Sequence, residues 1–116
     1  MSERDIRELL ALNNIEKLIM EYFLRNISVG EIIAILDLRE EVKKRIKTGE
    51  LQYSDTDDAV IERELLTIIT SLIRRGFLEY NMGVFNLAEW IREYLRKKYK
   101  SLETGVSKSL EKIVSD

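Results

Sequence analysis

Histidine, cysteine and proline are all absent from the 116 residues, and glutamine occurs once. Without histidine or cysteine the chain has no zinc site of ordinary type, no thiol nucleophile, no disulfide and no imidazole for acid–base catalysis. The five glycines are scattered, so no glycine-rich loop cradles a phosphate. Ser, Thr, Asp, Glu, Lys and Tyr are present, but no pair has the spacing of a nucleophile and its base. Long apolar runs are missing as well. The best candidate, LLTIITSLI, is broken by Thr67, Thr70 and Ser71 and falls short of the roughly 18 residues a membrane span needs. The start, MSERDIRELL, is charged and lacks the apolar core and small-residue cleavage site of a secretory signal. These absences predict a cytoplasmic protein that is not an enzyme, holds no cofactor or metal and has no membrane partner.

What is present is a globular composition, with 45% hydrophobic and 34% charged residues. The length suits a single core. Many Ile, Leu, Glu, Lys and Arg residues beside one Gln resemble the bias of hyperthermophile proteins, although the missing loop prolines do not. A net charge of −2 conceals local blocks. Residues 39–47 carry five basic and two acidic groups, residues 55–64 five acidic and one basic, and residues 92–100 five basic and one acidic.

Helix starts are marked by capping chemistry. Asn13 and Glu16 form a capping box ahead of the stripe Ile15, Leu18, Ile19, Tyr22 and Phe23, with an earlier amphipathic turn through Ile6, Leu9 and Leu10. In ISVGEI, Ser28 is the expected cap, Glu31 its reciprocal partner and Ile27 with Ile32 the hydrophobic staple of a short helix through Ile33, Ile35 and Leu36. A separate basic helical turn with Val42 and Ile46 ends at Gly49, and ELQYS is a short strand or a loop. The longest helix is capped within SDTDD, buries Ile61, Leu65, Ile68, Ile69, Leu72 and Ile73, and stops at Gly76. FLEY and VFNL, separated by Asn81, Met82 and Gly83, read as a hairpin. Asn86 and Glu89 then cap a further helix, with Phe85 stapled to Trp90 and a stripe through Ile91, Tyr94, Leu95 and Tyr99. Leu102, Val106, Leu110 and Ile113 continue at helical spacing beyond a complete core, which points to pairing with a second chain.

SVGEIIAIL, ELLTIITSLIRRGFLEY and the NMG turn together resemble the winged helix-turn-helix domains of small archaeal and bacterial regulators. The expected fold is mainly α, a winged helix-turn-helix with a two-stranded wing and a C-terminal helix. Residues 1–100 form the domain and 101–116 a dimerising extension. The resemblance implies that the helix from Asp58 to Arg75 enters the major groove and that the tip from Asn81 to Gly83 reaches phosphate or the minor groove. This chain departs from that pattern. Asp55, Asp57, Asp58, Glu62 and Glu64 crowd the helix start, the hairpin from Phe77 to Leu87 has no Lys or Arg, and a long insertion precedes the helix.

Two functions follow. In the first, a DNA-binding regulator grips the duplex backbone with Arg39, Lys43, Lys44, Arg45 and Lys47 and with Arg92, Arg96, Lys97, Lys98 and Lys100, while Thr67, Thr70 and Ser71 read bases. In the second, a protein-interaction module serves as accessory subunit of a replication, transcription or chromosome-segregation complex. Its contacts are Asp55, Asp57, Asp58, Tyr80 and Met82. Both readings include a homodimer through Leu102, Val106, Leu110 and Ile113.

Overall fold

The computed structural model describes residues 4–54, 56–99 and 110–115. A 3-10 helix, Ile6–Ala11, leads into α1, Asn14–Arg25. The Asn13–Glu16 box is formed as expected: Glu16 N–H donates to Asn13 Oδ1 at 2.9 Å, and Asn13 N–H donates to the Glu16 carboxylate at 3.0 Å. A second box, Asp5 with Glu8, caps the 3-10 helix. Helix α1 buries Leu18, Ile19, Met20, Tyr22, Phe23 and Leu24, more than a single stripe, because it runs through the middle of the core.

The next segment differs from the sequence expectation. Helix α2 is one uninterrupted element of 17 residues, Glu31–Lys47. Ala34, Ile35, Leu38 and Val42 keep one face buried through what reads in sequence as two pieces. Ser28 is not its cap: it sits at φ 59°, and Val29–Gly30 forms a short strand, β1. The first helical N–H, that of Glu31, donates to Gly83 O at 2.8 Å, so the hairpin tip replaces a side-chain cap. Ile32 is 76% exposed and staples nothing.

After Gly49, at φ +82°, ELQYS forms no strand, although Leu51 and Tyr53 pack on the core. Helix α3, Asp58–Arg74, is capped by Asp57, whose carboxylate accepts from Ala59 N–H at 2.9 Å. Gly76, at φ +83°, ends it as expected. Strands β2, Leu78–Asn81, and β3, Val84–Leu87, form the wing, and β1 adds to it in the order β1-β3-β2. The sheet therefore has three strands rather than two, since a two-residue strand leaves no periodicity to read. Asn81 pairs with Val84, and the turn is Met82–Gly83 alone, both residues at positive φ.

Helix α4, Glu89–Tyr99, is not capped by Asn86, which lies within β3. Glu79 on β2 does the capping from across the chain: its carboxylate accepts from Glu89 N–H at 3.0 Å and pairs with Arg92 at 2.9 Å. Phe85 and Trp90 also part company. Phe85 packs against Phe23 and Tyr80, whereas Trp90 lies beside Phe77 and donates its indole N–H to Gly76 O at 2.7 Å.

The expected dimer stripe is corrected where it is described. On α5, Leu110–Ser115, Leu110 and Ile113 are 0% and 1% exposed and belong to their own chain's core. Leu110 N–H donates to Glu21, and the Tyr94 hydroxyl donates to Ile113 O. An apolar stripe placed after a complete core can fold back as readily as it can pair. Leu102 and Val106 lie outside the described residues, as do Asp55 and Lys100. The described part is a mainly α winged helix with a small antiparallel sheet, and no described helix is long and apolar enough to cross a membrane.

Candidate interaction surface

The opposed charge blocks of the sequence meet each other. Helices α2 and α3 lie side by side, and Arg39 pairs with Glu62 at 2.8 Å and Glu40 at 2.9 Å, while Lys43 pairs with Asp58 at 2.9 Å. The Lys43 ammonium, hydrogen-bonded to Asp58, holds that carboxyl below its ordinary range, and Asp58 in turn raises Lys43. Arg45 is held by Glu50 and Glu41 at 3.2 and 3.5 Å. Of the expected phosphate-binding face on α2, only Lys44 and Lys47 have no ion-pair partner among the described residues. Neighbouring carboxylates oppose the assembly of a phosphate grip there.

The second basic block is similarly occupied. Arg92 is taken up by Glu79 and Leu87 O, Arg96 by Glu93, and Lys98 by Tyr94 and the Ile113 carbonyl. Lys97 is exposed. The expected base-reading hydroxyls are also engaged: Thr67 donates to Arg63 O at 3.1 Å and Thr70 to Leu66 O at 2.7 Å, while Ser71 is half-buried. Sequence reasoning passed over Arg63 and Arg74. They share an exposed helical face of α3 with Thr67 and Thr70, at positions i, i+4, i+7 and i+11, and have no ion-pair partner among the described residues.

Of the expected protein contacts, Asp57 is spent on the α3 cap and Asp58 on Lys43. Tyr80 and Met82 are brought to a surface that the sequence reading left out. Met82 is 92% exposed at the hairpin tip, Tyr80 and Val84 flank it on the strands, and Glu31 N–H binds the turn at Gly83 O. That bond places the first turns of α2 beside the tip, where Ile32, Ile33 and Leu36 are 76%, 60% and 42% exposed. The Tyr80 hydroxyl donates to Glu31 at 2.7 Å across the junction, a bond that raises the phenol's pKa. Tyr22 of α1 donates to Asp37 at 2.6 Å, and burial followed by this bond raises its pKa too.

An isolated exposed isoleucine is unremarkable. Four large apolar side chains, Ile32, Ile33, Leu36 and Met82, form an exposed apolar patch around one hydrogen-bonded junction. The apolar residues of EIIAILDL encircle more of a helix than one core can cover, but which of them stay exposed shows only once the neighbouring elements are in place.

Neither curated proteins nor solved structures give a match to the chain. Residues 13–93, which contain α1 to β3 and the whole of this surface, match the family described as PolB1 Binding Protein 2. The match takes in well over half of the sequence, and the chain belongs to that family.

Proposed function

We propose that this protein is an accessory subunit that binds the DNA polymerase PolB1 and performs no catalysis of its own. The family match carries the reading, since it spans the winged-helix body and bears the partner in its description. The charge map supports a protein partner over a duplex, because most of the basic residues expected to grip phosphate are tied to carboxylates or carbonyls of the same chain. Regulation of transcription has no support from the family. The test is titration calorimetry and size exclusion with PolB1 from the same organism. A co-eluting complex with saturable binding in the micromolar range or tighter is expected; two separate peaks with no heat at tens of micromolar would end the reading.

One observation favours an additional contact with DNA, made while the protein rides on the polymerase. The α3 face bearing Arg63, Thr67, Thr70 and Arg74 holds two arginines with no ion-pair partner among the described residues, and Asp58 and Glu62 are drawn aside to α2. Fluorescence anisotropy with a generic duplex at about 50 and 200 mM salt measures it, since a phosphate contact weakens steeply with salt. Binding that Arg63→Glu with Arg74→Glu leaves unchanged would remove this face from consideration.

A further inference from the structure

We infer that the polymerase docks on the apolar junction between α2 and the hairpin tip, with Ile32, Ile33, Leu36 and Met82 at its centre. The inference rests on the polymerase-binding reading and gives it a place. All four residues lie within 13–93, the segment that matches the family, whereas α5 and the 3-10 helix lie outside it.

The local structure has no use for these side chains where they stand. Isoleucine at an exposed helix position is a poorer helix former than Ala, Glu or Lys, and Ile32 and Ile33 occupy two such positions in succession. Met82 stands at φ 52° in the first position of the tight turn, where Asn, Asp or Gly is the conformationally favoured residue. With 92% of its surface in water it gains nothing from burial in the free protein. A strained, fully exposed methionine beside two exposed isoleucines is explained by a partner that covers them, and methionine adapts its shape readily to such a partner.

Charge selects among possible occupants. Glu31 and Asp37 border the patch on α2 and have no ion-pair partner among the described residues, whereas Arg39, Glu40 and Lys43 at its far end are paired with one another and with Glu62 and Asp58. The unpaired rim of the patch on α2 is therefore acidic. A second copy docked across a two-fold axis would set this acidic rim against itself. Duplex DNA offers neither an apolar face of this kind nor positive charge. A polymerase carries basic surface along its DNA path, and an apolar hollow bordered by Lys and Arg on that surface fits both features of the patch. The complementary charges would speed encounter, and the apolar centre would hold the complex.

The test compares PolB1 binding by the full-length protein, by Ile32→Glu/Ile33→Glu/Met82→Asp, and by the control Arg63→Glu/Arg74→Glu on the exposed face of α3. The apolar triple is expected to weaken binding about 100-fold or more, the scale of losing a buried hot-spot cluster. The control should stay within about threefold on the scale of exposed charges. Wild-type binding should itself weaken as salt rises. Urea unfolding confirms that each variant is folded. A photo-crosslinker at position 33 or 82 supplies a second readout that does not depend on the triple's stability, and it should capture the polymerase where one at position 63 does not. If wild type binds while the triple binds equally well, or if only the α3 control loses binding, the docking site is elsewhere and the accessory function stands. If wild type fails to bind, both inferences fall together.

Discussion

Replacing Met82 with asparagine should make the free protein more stable and the polymerase complex weaker. An L-residue in the left-handed region carries a penalty of roughly 1–2 kcal/mol, which glycine avoids and asparagine reduces through local hydrogen bonding. Met82 holds φ 52° with 92% of its surface exposed, so little packing is lost when its side chain is removed. Relief of part of that penalty should raise unfolding free energy by about 0.5–1 kcal/mol. For a domain of this size that corresponds to a Tm increase of roughly 2–6 °C. Urea denaturation is the assay, with an unchanged m-value required so that the shift reports stability rather than compactness. Met82→Ala separates backbone from side chain: it keeps a Cβ at positive φ, so it should remain near wild type. Should Asn and Ala variants prove equally stable, the turn is not strained at this position and the argument for a retained contact residue loses its basis. Should the Asn variant gain stability yet bind PolB1 as wild type does, strain is present but serves no docking.

Leu110→Ala and Ile113→Ala should each destabilise the protein by about 2–4 kcal/mol without changing its mass by light scattering, because both side chains are buried in their own chain. A halved mass with the fold intact would instead restore the dimer. Glu79→Ala removes an acceptor from the Glu89 N–H and an ion pair from Arg92; a loss of about 1 kcal/mol, typical of a helix cap, is expected in urea, and no loss would mean that solvent replaces the cap fully. Asp5, hydrogen-bonded by the Arg7 side chain and backbone, has its pKa lowered from 3.8 to about 2. Its folded pKa lies below the unfolded one, so its stabilisation is complete above the unfolded value and fades as pH falls from 3.8 towards 2. Asp5→Asn should therefore lower the midpoint of unfolding at pH 5 and approach wild type near pH 2, and a pH-independent difference would contradict the assignment.

Where a local rule ruled alone, the sequence could be read directly. Asn13 with Glu16, Asp57 before α3 and Gly76 after it each satisfy backbone groups within a few residues, and all three stand as expected. Where a backbone group found its partner at long range, local rules misled. Ser28 and Glu31 have capping-box spacing, but strand pairing of Val29 with Phe85 forces Ser28 out of the cap conformation and gives Glu31 N–H to Gly83. Asn86 likewise has a cap's spacing to Glu89, yet β2 and β3 pair through Leu87 and leave the capping to Glu79. Tyr80 and Met82 were legible as exposed residues because a hairpin tip has no core to enter. Ile32, Ile33 and Leu36 were not, since an apolar residue on a helix reads as core until the neighbouring helices show which faces are already covered.

The same long-range logic decides the charges. Read along the chain, the basic block at residues 39–47 argues for DNA and the acidic block at 55–64 argues against it. Folding sets α2 against α3, so that Arg39 and Lys43 are consumed by Glu62 and Asp58 and each block cancels the other's claim. Exposed pairs of this kind add little stability singly; their consequence here is that neither block presents its full charge to a partner. Beyond these ion pairs the surface turns apolar: Ile32, Ile33 and Leu36 stand on the first turns of α2, and the hairpin tip carries the surface on to Met82 and Val84. A winged helix whose wing holds no cation, whose Arg39, Lys43 and Arg45 on α2 are paired internally and whose exposed side chains at the wing junction are isoleucine, leucine and methionine suits the proposed protein partner better than a duplex.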